Sequence, residues 1–122
     1  MSIRETSFEA VALSDLEAMS VGERDELPFG VVGFGADTIV DTYNATKSHM
    51  SGLDPSTVMG VPFFDAVGQC MNSFMVAQRF DNEAEIDDIV PYMLTLRMRP
   101  TKVRLRLLAE SGTPRRYILV ER

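Results

Sequence analysis

Cys70 and His49 are the only cysteine and the only histidine in this 122-residue chain, and they bound the chemistry it can do. A thiolate is a nucleophile toward activated acyl groups and a ligand for soft metals. One thiol excludes an internal disulfide and a zinc site built from several thiolates. One histidine cannot supply a multihistidine metal centre. A Cys70–His49 catalytic pair needs the two side chains in contact, and no third group completes a nucleophile–base–orienter set. The chain is therefore not expected to be an enzyme. Cys70 also reads simply as a buried, inert core thiol, a common use of cysteine in small domains. Asp54, Asp65 and the acidic run from Asp81 to Asp88 have no firm cation-ligand spacing. Gly30, Gly33 and Gly35 lack the strand–loop–helix setting and the lysine–hydroxyl pair of a phosphate loop.

Charge narrows the partners. Lys and Arg number 12 and Asp and Glu 18, a formal net charge of -6. That balance disfavours nucleic acid and anionic membrane surfaces. The basic run from Arg97 to Arg106 and the acidic run from Asp81 to Asp88 can pair within the fold or between chains. No apolar run approaches the roughly 20 residues that span a bilayer, and the first residues lack the pattern of a secretory signal. With a single cysteine, this points to a reducing, cytoplasmic setting.

Two segments follow from the patterning. Residues 1–26 read as an N-terminal helical cap, with Ser14 as a helix start and Glu17 in the capping-box position. Residues 27–122 read as one domain. FGVVGF from Phe29 and the β-branched stretch from Thr38 to Thr42 are short strands joined closely enough for an antiparallel hairpin. Asn44 caps a short helical turn that Gly52 ends, and Asp54–Pro55 opens another. Ser73 is placed to cap a longer helix through Phe74, Ala77 and Phe80. Val90, Tyr92, Leu94, Leu96 and Met98 alternate as a strand, with Pro91 suggesting an edge or an irregular start. Pro100–Thr101 reads as a turn. Val103, Leu105 and Leu107 then alternate with Lys102, Arg104 and Arg106 as a strand with a half-exposed basic face. Tyr117–Glu121 is the last strand. The order predicts an α/β (α+β) domain: a five-stranded antiparallel sheet covered on one side by helices.

LPFGVVGF with YNA at Tyr43–Ala45, SGLDP at Ser51–Pro55, VMG at Val58–Gly60, FFDAV ahead of Cys70, MRPTKVRLRL from Met98 and the terminal YILVER occur in an order and spacing that resemble the photoactive yellow protein family. The resemblance covers about residues 25–122 and implies a PAS-type fold.

It also implies site roles. The matching cysteine carries p-coumaric acid as a thioester, which makes Cys70 the candidate attachment point. Tyr43 matches a tyrosine that donates to the chromophore's phenolate oxygen, and Ser51 matches a threonine that supports that tyrosine. Phe63 and Phe64 match an aromatic pair walling the pocket, and Met98 a methionine near its gate. The chain departs from the family at Lys47, where a glutamate is usual, at Leu53, where an arginine lies over the pocket, and at Leu94 and Leu96, where aromatic residues are usual. On a short polar turn, Lys47 is expected to point into solvent. If it reaches the pocket instead, its ammonium would hold an anion.

The resemblance implies a small PAS-type sensor holding p-coumaric acid or a related acyl ligand on Cys70, and acting as a photoreceptor or signalling module. The expected partners are a downstream signalling protein and a second copy of the chain in a homodimer. The alternative is a chromophore-free PAS interaction or structural module, which the four departures favour.

Overall fold

Apolar alternation along five segments builds the sheet that the rest of the chain packs on. In this computed structural model, which describes residues 7–122, the strands are β1 (Gly30–Phe34), β2 (Val40–Tyr43), β3 (Ile86–Leu96), β4 (Arg99–Ala109) and β5 (Arg116–Glu121). They form one antiparallel sheet in the order β2-β1-β5-β4-β3. The sheet and its flanking helices are those the sequence predicts. Pro91 sits inside β3, an edge strand, where a missing N–H costs no ladder bond.

Both faces of the sheet are covered, not one. On the inner face Val32, Phe34, Leu105, Leu107, Ile118 and Val120 pack against the helical segments between β2 and β3. Phe64 and Phe80 each meet Phe34 edge to face, with Phe34–Phe64 centroids 5.4 Å apart and Phe34–Phe80 centroids 5.3 Å apart. On the outer face Phe8, Val11, Leu13 and Leu16 of the N-terminal segment bury Val31, Leu108, Tyr117 and Leu119.

The basic face of β4 is what holds that segment down. Arg106 is buried, donates to the Phe8 and Val11 carbonyls and pairs with Asp87 at 2.9 Å. Arg104 lies 5.0 Å from the Phe8 ring centroid and pairs with Glu9 and Glu121. The acidic and basic runs thus meet within the fold at Arg106–Asp87. Arg79, outside the basic run, also binds Glu83 and Asp88.

The N-terminal segment holds α1 (Leu13–Ala18) and α2 (Val21–Asp25). Ser14 lies inside α1 and caps nothing. Asp15 instead accepts from the Ala12 N–H at 2.9 Å. A capping box does form one helix later, between Ser20 and Glu23. Residues 1–6 of the expected cap lie outside the described residues.

Three further expectations are corrected. The helix after Ser73 is only α5 (Ala77–Asn82). Ser73 does not cap it, and Phe74 is exposed. The β3–β4 turn falls at Arg97–Met98, with Pro100 and Thr101 already paired in β4. Arg97 and Met98 both have positive φ, 50° and 64°. A two-residue hairpin requires this twist and it usually selects Asn-Gly. Met98 therefore leaves the strand alternation and is exposed.

Candidate functional site

Between β2 and β3 the chain forms α3 (Ala45–Ser51), α4 (Pro55–Val58), a π-helical turn (Phe63–Val67), a 3-10 turn (Gln69–Met71) and then α5. Asn44 fixes α3 to the sheet. Its buried side-chain oxygen accepts from the N–H groups of Lys47 and Val31, at 2.9 and 2.8 Å. Its amide donates to the carbonyls of Arg24 and Phe29. All four bonds a side-chain amide readily makes are satisfied, so the start of α3 is closely held. Gly52 ends the helix in the left-handed region at φ 78°.

That placement turns Lys47 and Met50, three residues apart, into the protein. Lys47 is 4% exposed, so the expectation that it points into solvent is corrected. Gly30 explains how it fits. A Cβ there would stand 3.1 Å from Lys47 Cδ, so the glycine leaves a groove for the lysine stem on β1. Nζ lies 5.8 Å from the centroid of the Tyr43 ring. Among the described residues Nζ has no hydrogen-bond or ion-pair partner. Burial pushes its pKa from 10.5 down to about 8, opposed in part by its electrostatic interaction with Cys70.

Tyr43 Oη and Ser51 Oγ are 2.7 Å apart. Burial raises the Tyr43 pKa, and the Ser51 bond offsets part of that rise. Tyr43, Lys47, Ser51, Phe63, Cys70 and Met98 all line one cavity of about 300 Å³. Leu94 and Leu96, where aromatic residues are usual in the family the chain resembles, complete its apolar wall. Leu53 and Arg97 stand at its rim. Arg97 was not singled out from the sequence. It reaches across from the β3–β4 turn and donates to the His49 carbonyl of α3 at 3.0 Å. No carboxylate lines the cavity.

The cofactor expectation is contradicted at Cys70. A thioester-linked p-coumaric acid needs its sulfur enclosed together with the ring, and Cys70 is exposed. The 3-10 turn commits its neighbour instead. Met71 is 2% exposed and fills the core, which turns Cys70 to the open side of the cavity. Tyr92 holds the turn there by donating to the Cys70 carbonyl at 2.7 Å. His49 lies on α3, and nothing pairs it with Cys70.

The architecture defines a PAS-type sensor fold. Within that class it is related, at modest identity, to photoactive yellow protein. The photoactive yellow protein of Halochromatium salexigens is 29% identical over 112 residues, covering 89% of this chain and 90% of its own. That of Rhodothalassium salexigens is 24% identical over 107 residues, covering 85% and 86%. The photoactive yellow protein domain of the sensor histidine kinase Ppr from Rhodospirillum centenum superposes with a TM-score of 0.81 at 27% identity, covering 89% of this chain and 98% of that domain. No protein-family model matches the chain. Among the described residues, no helix is long and apolar enough to cross a membrane.

Proposed function

We propose that this chain is a sensory module whose cavity takes a small organic ligand reversibly, with no bond to Cys70. Residues 27–122 carry the sensor, and the described part of the N-terminal segment, residues 7–26, is the cap through which the bound state reaches a downstream signalling protein. Tyr43, Lys47 and Ser51 supply the polar contacts, Phe63 a wall, and Met98 and the Cys70 edge the mouth. The module binds and reports without catalysing a reaction.

The observation that carries this reading is a cavity of about 300 Å³ with apolar walls and a small set of convergent polar groups, inside a sensor fold. Light reception through a thioester pigment is no part of it, because the exposed sulfur removes the enclosure such a pigment needs. The test is a set of 1H–15N spectra recorded while small organic acids, alcohols and amides are added singly. Shifts should gather around Lys47, Leu94 and Arg97, with the intact mass unchanged. A cavity silent to the whole panel would overturn the reading.

A second reading, a chromophore-free interaction module, has one observation in its favour. β3 is an unpaired edge carrying exposed Ile89 and Met93. Sedimentation across a concentration series tests it: self-association weakened by Met93→Lys supports a homodimer through this edge, and a strict monomer opposes it.

A further inference from the structure

We propose that the cavity is an anion site that takes an organic monocarboxylate with an apolar body, its carboxylate on the Lys47 ammonium. This rests on the ligand-sensor reading and narrows it to one chemical class.

Lys47 carries the argument. A buried ammonium normally has a carboxylate or several acceptors around it. This one lies 5.8 Å from the Tyr43 ring centroid, interacts electrostatically with Cys70, and has no hydrogen-bond or ion-pair partner among the described residues. The stem is packed in the Gly30 groove and Asn44 holds the start of the helix, which aims the head at the cavity.

The remaining lining agrees. The chain has 18 acidic residues against 12 basic ones, yet the cavity is lined by two cations, Lys47 and Arg97, and by no carboxylate. Chance placement on such a chain would favour the opposite sign. Arg97 Nε is committed to the His49 carbonyl, which leaves its terminal nitrogens at the mouth to attract an entering anion. Tyr43 and Ser51 share one hydrogen bond. When Ser51 donates in it, the phenolic proton is free for the second carboxylate oxygen.

The walls set the rest of the ligand. Phe63, Leu94 and Leu96 are apolar and buried, so a bare inorganic anion would leave most of the cavity unfilled. A dianion would bury one charge more than the single deep ammonium neutralises. An apolar chain or ring ending in one carboxylate satisfies both conditions.

Isothermal titration calorimetry tests the inference with matched pairs: hexanoate, octanoate and phenylacetate, each beside its neutral amide. In the wild type at least one acid should bind tenfold or more tightly than its amide. Lys47→Met should erase that preference while leaving amide binding within about threefold. Lys47→Gln serves the same purpose should the methionine variant not fold. Acid and amide binding alike in the wild type would overturn the anion inference and leave the ligand-sensor reading standing. A preference that survives in both variants would also overturn it. No binding by any of the six, with the wider panel silent too, would remove the underlying reading as well.

Discussion

Replacing Lys47 with methionine should stabilise the ligand-free protein, and by an amount that depends on pH. Methionine keeps the length of the stem in the Gly30 groove and discards the buried charge. The fall in the Lys47 pKa from 10.5 to about 8 corresponds to about 3 kcal/mol of differential interaction between its two forms. The sign follows from proton binding. Below about pH 8 the ammonium is charged in both the folded and unfolded chains, so the folded state bears its full desolvation cost. Between about 8 and 10.5 the folded state has released the proton while the unfolded state still holds it. Wild-type stability therefore rises across that window and levels off above it. Tyr43, Cys70 and Arg97 are the other titratable or charged groups facing the cavity, and all three stay in the variant. Tyr43, with its pKa raised by burial, erodes stability only above about pH 10, where unfolded tyrosine ionises. Urea unfolding of both proteins at pH 7 and about pH 9.5 isolates the lysine. The variant should be more stable by as much as about 3 kcal/mol at pH 7, with much of that advantage gone at the higher pH. A variant less stable than wild type, by the same margin at both pH values, would refute the claim that a charged lysine is buried without a partner.

Three further outcomes follow from the packing. Arg106→Met should cost about 2–3 kcal/mol by stranding the Phe8 and Val11 carbonyls, and hydrogen exchange should show protection lost from residues 8–16 before the sheet. Gly68→Ala puts a methyl group 2.4 Å from the Phe63 ring; urea unfolding should register a loss of about 1–3 kcal/mol, with resonances along the cavity wall displaced. Met98→Gly relieves a side chain held at φ 64° and should raise stability by about 1 kcal/mol, read from the urea midpoint with unchanged slope.

Much of the sheet was legible because its signals are local. The β1–β2 hairpin, the Asn44 cap, the Asp54–Pro55 helix start and the alternation from Val103 to Leu107 each rest on neighbours in sequence. The order β2-β1-β5-β4-β3 rests on pairings between distant segments, which no local period encodes. The second covered face was missed for a related reason. Arg104 and Arg106 look like a solvated basic stripe until Phe8 and Glu9, almost a hundred residues earlier, are laid across them.

The cavity residues show the same limit at finer scale. Helical spacing places Lys47 with Met50, a hint that it turns inward, but the space for its stem depends on Gly30 across the sheet. In the Gln69–Met71 turn, cysteine and methionine are both plausible core residues. Only the backbone rotation decides that Met71 is buried and Cys70 exposed. Arg97 read only as the start of a basic run, because its position at the rim follows from a hairpin turn that the sequence suggested three residues later.

The most direct measurement is the titration of Lys47 itself, followed by NMR of its Cε and Nζ in the folded protein. The account predicts a midpoint near pH 8 in the ligand-free state, moving upward when a carboxylate that binds is added. A midpoint at the ordinary lysine value, indifferent to every carboxylate, would mean that the ammonium is in water and would contradict the account.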